Sequence, residues 1–133
     1  MQKTNVEPEP DAADRDFFQR LRGEVEREIA GYVYDHPADA IGSPLPDHVI
    51  RNDLNAMRLC LIEPRWEEVN ICNSLGNMNA KTVRRMCVTM AEDEGYVLVF
   101  DPVEEEYHLA WRGEQGLGTW GIRGDAVGCF IAR

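Results

Sequence analysis

Glycine recurs at Gly113, Gly116, Gly118, Gly121, Gly124 and Gly128, six of the eleven in the chain. The cluster lies between Trp111 and an apolar tail, Ala126 to Ala132. Glycine loses more conformational entropy than any other residue in an extended strand, so its repetition marks tight turns, bulges or close backbone approach. Two alternating runs precede it, Tyr96–Phe100 and Tyr107–Trp111, joined by Asp101-Pro102-Val103-Glu104-Glu105. They read as a β-hairpin. Further strands are expected at Gly118–Arg123 and Ala126–Ala132, turning at Gly124-Asp125. The last is apolar at consecutive positions, as a strand covered on both faces would be. The C-terminal third is therefore expected to form an antiparallel sheet of four or more strands.

Helices are expected before it. Phe17, Phe18, Leu21, Val25, Ile29 and Tyr32 recur at helical spacing, with Asp14 or Asp16 as the cap and an end near Gly31 or Tyr34. Asp35–Pro46 holds three prolines and Gly42 and reads as a surface loop. Asp47–Ile71 supports two readings. The preferred one is a short helix, Asp47–Ala56, then a hairpin through Met57, Leu59 and Leu61 that turns at Glu63-Pro64 and returns through Trp66, Val69 and Ile71. The other is one helix from His48 to Leu61. Asn73–Asn79 is turn-like, and Val83, Met86, Cys87 and Met90 predict a helix over 79–92, stopped by Gly95. The fold class is α+β, with two to three helices packed on the C-terminal sheet. Residues 1–14, with Glu7-Pro8-Glu9-Pro10-Asp11, read as a flexible acidic arm, and 15–133 as a single domain.

The formal net charge of −10 is shared along the whole length and is not a tail effect. Such a surface repels phosphate backbones and attracts basic partners. Cys60, Cys72, Cys87 and Cys129 have apolar neighbours and no metal-ligand spacing, so they read as small buried hydrophobes in a reducing compartment. Met1–Val6 shows no apolar leader core, so no signal peptide is expected, and no apolar run reaches membrane-spanning length. The expected location is cytoplasmic, with no membrane partner.

The chemical motifs are weak. Gly116-Leu117-Gly118-Thr119-Trp120-Gly121 matches G-x-G-x-x-G, but it leads towards another strand, where a dinucleotide site needs a helix. No cofactor is expected. His36, His48 and His108 are isolated in sequence, and no metal is expected. A Cys–His pair, Cys60 or Cys129 with His108, would form only in the fold. The 79–92 helix followed by the 96–110 hairpin has the outline of a winged helix, with Lys81, Arg84 and Arg85 placed for nucleic acid. Against this, Asp101, Glu104, Glu105 and Glu106 at the wing tip would oppose phosphates.

The leading expectation is a small acidic protein-binding module of the inhibitor or immunity type, which neutralises a basic toxin, nuclease or other enzyme by covering its active site. Its contact residues would be Asp101, Glu104, Glu105, Glu106 and, as an aromatic anchor, Trp120. Immunity proteins and phage-borne inhibitors resemble this chain in bulk properties only. The alternatives are the winged-helix DNA-binding regulator and a small enzyme with a Cys/His site.

Overall fold

A computed structural model describes residues 11–34, 45–72 and 82–133. The order is α1 (Ala12–Gly31), α2 (Asp47–Cys60), β1 (Leu61–Cys72), β2 (Thr82–Asp93), β3 (Tyr96–Asp101), β4 (Glu106–Gly113), β5 (Gly116–Gly124) and α3 (Ala126–Ile131). The α+β character is as expected, but the sheet is a closed barrel. Strands β1 to β5 form an antiparallel meander, and β5 closes it by pairing in parallel with β1, Val69 opposite Leu117 and Asn70 opposite Gly118.

Closure and the helices give β3, β4 and the second half of β2 two buried faces. Along the lumen stand Val69, Ile71, Cys87, Val97, Val99, Ala110 and Leu117. On the outer face Val88, Met90, Leu98, Tyr107 and Leu109 meet Phe18, Leu21, Val25 and Ile29 of α1, Met57 of α2 and Phe130 of α3. Helix α1 buries the stripe its spacing predicts. Its cap is Asp11, whose carboxylate accepts from the Asp14 N–H at 2.8 Å, one turn before the expected caps. Residues 12–14, assigned above to the arm, are thus helical; residues 1–10 lie outside the described residues.

Three expectations fail for physical reasons. The 79–92 helix is strand β2. Lumen and helices cover its opposite faces, so Cys87 to Ala91 are all buried and the alternation disappears. Val83 and Met86, the other residues of the expected helical stripe, are exposed on the first half of the strand. Gly95 is no helix cap. It shares a tight β2–β3 turn with Glu94, both at positive φ.

The expected terminal strand 126–132 is helix α3. Ala126, Val127, Cys129 and Phe130 are buried and Gly128 is exposed, which is a helical period. Asp125, read as a turn residue, is its N-cap, accepting from the Gly128 N–H at 2.7 Å. Glu28 of α1 accepts from the Ala126 and Val127 N–H groups and ties α3 to α1.

The hairpin starting at Ala56 is also absent. Helix α2 runs to Cys60, and Trp66–Cys72 belongs to β1. Pro64 sits where the β1–β2 register shifts, between Leu61 and Arg65, and so deprives no ladder of a donor.

Candidate functional site

The lumen side of the strands carries an ionic group at each end. One lies near the β2–β3 turn. Arg112 donates to Glu67 at 2.6 Å and to Glu92 at 2.6 Å, Arg65 donates to Glu92 at 2.8 Å, and the Thr89 hydroxyl donates to Glu67 at 3.2 Å. Hydrogen bonding from Arg112, against the cost of burial, holds the Glu67 carboxyl below the usual carboxylate range.

The other lies under the β3–β4 turn. Asp101 is completely buried and forms an ion pair with Arg85. Its second oxygen accepts from the Val103 N–H at 2.9 Å, with the Glu104 N–H at 3.5 Å. Asp101 therefore bridges the barrel interior and the turn, and does not join an exposed contact surface. Beside it is His108, likewise buried, with Glu106 at 3.7 Å and Arg123 reaching Glu106 at 3.6 Å. Burial pulls the His108 imidazole below its ordinary value, the opposite of what the nearby Glu106 and Asp101 carboxylates favour.

Above this base the turn is open to solvent. Glu104 and Glu105 are exposed, Glu106 is half-buried, and Val103 is 66% exposed, an unusual position for a β-branched apolar side chain. Glu105 takes a positive φ of 55°. Arg20 and Glu24 of α1 line one shallow depression with Phe100, Pro102 and Glu105. The carboxylates of α1 and of the turn thus share one edge.

Trp120 stands elsewhere. It is half-buried against the outer core and faces Tyr96, ring centroids 6.3 Å apart. Tyr96 and Asp101 are opposite ends of β3, about 17 Å apart at the usual rise of a strand. The acidic turn and Trp120 therefore do not form one patch. The more exposed indole is Trp111.

The cationic residues are already partnered. Arg84 pairs with Glu68 at 3.0 Å and donates to Asn70 at 3.1 Å, and Arg85 is held by Asp101. Both lie on strand β2, so the helix of the winged-helix outline is absent. Lys81 and His36 lie outside the described residues. The glycine run Gly116–Gly121 is part of strand β5. Burial pushes the Cys87 and Cys129 thiols up to about 12, and the Cys129 thiol donates to the Tyr107 carbonyl oxygen. Among the described residues no three His, Cys, Asp or Glu side chains converge as a metal would require, and no helix is long and apolar enough to cross a membrane.

Sequence reasoning found the acidic turn but missed its foundation. Arg85 and Asp101 are 16 residues apart, and only the pairing of β2 with β3 brings them together. No family model, curated protein or solved structure matches the chain.

Proposed function

We propose that this chain acts by docking onto a basic protein, as an inhibitor or immunity-type module, through the tip of the β3–β4 hairpin and the adjoining edge of α1. The observation that carries the reading is the anchoring of Val103 and Glu104 by the buried Asp101 carboxylate. A turn fixed before binding loses little entropy on binding. Glu24, Glu104 and Glu105 would steer a cationic partner, and Val103 would supply apolar area at the centre of contact.

The test starts with a photo-crosslinking amino acid at position 103 in the source cell, followed by identification of what it captures. Association kinetics with that protein are then compared for the natural chain and the Glu104→Lys/Glu105→Lys variant. The expected partner is basic, and the double reversal should slow association by about tenfold or more at low ionic strength, with the gap closing as salt is added. Equal rates at low salt would remove the turn as the docking surface.

A further inference from the structure

Beneath the turn is a group that docking does not use. His108 is 1% exposed, and neither ring nitrogen has a hydrogen-bond partner among the described residues. Its Nε2 lies 3.7 Å from Asp101 Oδ2 and 3.7 Å from Glu106 Oε1, too far to bond either. Every strand around it contributes. Asp101 comes from β3, Glu106 from β4 itself, Arg85 from β2 and Arg123 from β5, while Cys87 and Thr89 of β2 add a thiol and a hydroxyl to the same face of the sheet. Arg85 is committed to Asp101, and Arg123 reaches towards Glu106. The two carboxylates nearest the ring favour a proton and the two guanidiniums oppose it, while burial against the charged form is the largest influence. The oxygen of Asp101 that faces His108 also holds Arg85, and its other oxygen holds the turn.

We infer that His108 is a proton-operated latch on the β3–β4 turn: the neutral ring lets the barrel end close, and a protonated ring favours an opened hairpin that admits water and frees Val103, Glu104 and Glu105. As a means of regulating docking, the inference rests on the turn being the contact surface. The sign follows from burial. The enclosed ring resists a proton, whereas a hydrated one takes it up near the ordinary pKa of about 6.5. Above that pH neither state is protonated and the turn stays shut. Below it the opened state binds a proton that the closed state lacks, so the opening constant rises by up to about tenfold per pH unit.

The isolated chain supplies the test. By NMR, the His108 imidazole is titrated from pH 7.5 to 5.5 while exchange of the Val103 amide is followed, each rate divided by its intrinsic value at that pH. Val103 protection should fall as pH drops below about 6.5, and His108→Gln should abolish the fall. If that variant does not fold, Glu106→Gln serves instead. It removes a carboxylate that favours the proton in the closed state, so the midpoint of His108 should move to lower pH, while the loss of protection still begins at about pH 6.5 and continues further down the pH scale. Protection of Val103 that is indifferent to pH, or a pH dependence that persists unchanged in the variant, would overturn the latch. This readout needs no partner. A flat profile removes the latch and leaves the docking surface standing, whereas unslowed association of the Glu104→Lys/Glu105→Lys variant removes the docking surface and leaves the latch chemistry intact.

Discussion

Arg85 of β2 and Asp101 of β3 form an ion pair in which the carboxylate is completely buried while the guanidinium reaches the barrel end, its side chain 20% exposed. This asymmetry decides which partner is the costlier to remove. Asp101 without Arg85 would be a buried charge with only turn amides to hold it, whereas Arg85 without Asp101 can turn towards water.

Arg85→Met should therefore destabilise more than Asp101→Asn, with the arginine change costing about 3–5 kcal/mol. The double change Arg85→Met/Asp101→Leu should recover part of that loss, because a buried pair replaced by apolar groups is often close to neutral. Urea unfolding of Arg85→Met, Asp101→Leu and the double variant forms the cycle, with Asp101→Asn measured beside it. Strictly additive losses would mean that the pair is not coupled.

Glu67 sets an acid limit on the other end of the barrel. Hydrogen bonding from Arg112 lowers its pKa from the ordinary 4.5, with smaller help from Thr89 and Arg65. The unfolded chain then takes up a proton before the folded one does as pH falls. The stability Glu67 contributes is present above pH 4.5 and is lost as pH drops from there through its folded value. Thermal unfolding followed from pH 6 to 3 should show that loss, and Glu67→Gln should flatten the profile in the same window. A parallel profile for the variant would rule out this linkage.

Gly95 is fixed by two independent demands. Its φ of 99° is a conformation that side chains resist, and a Cβ built there would lie 2.7 Å from the Trp111 ring. Gly95→Ala should cost about 1–3 kcal/mol from the backbone alone. It should also displace the Trp111 indole, visible as a shifted tryptophan emission. A variant as stable as the natural chain, with unchanged emission, would contradict the turn geometry.

The parts of this fold legible in the sequence are those with one clear apolar stripe or with turn residues at both ends. Phe18, Leu21, Val25 and Ile29 stand on one side of α1 with charge opposite, and Tyr96–Phe100 and Tyr107–Trp111 were bounded by turn residues. Legibility fails where both sides are covered and the apolar spacing also fits the wrong element. In β2 the lumen takes Cys87 and Thr89 and the helices take Val88 and Met90, so five consecutive buried residues carry no strand period. In α3 only six residues are available, too few for a helical stripe to separate from a buried strand. The site divides the same way. Glu104 and Glu105 are readable as exposed because they sit in a turn, while the roles of Asp101 and His108 depend on barrel closure, a property of pairing between distant strands.

Closure also predicts thiol reactivity, which bears on the Cys/His alternative. Cys87 faces the lumen and Cys129 is on the buried side of α3, both with thiols raised to about 12 by burial. Cys60 and Cys72 are half-buried, and burial raises the Cys60 thiol as well, with Asp93 adding to the shift and Arg133 opposing it. Since the thiolate is the attacking species, iodoacetamide at neutral pH should leave Cys87 and Cys129 unmodified in the folded chain and reach them only on unfolding. Cys60 and Cys72, being half-buried, should react before them. Mass spectrometry of digests taken along a time course gives the order. Rapid alkylation of Cys87 or Cys129 in the folded chain would mean that one of them is an activated nucleophile, and would turn the functional reading from docking to catalysis.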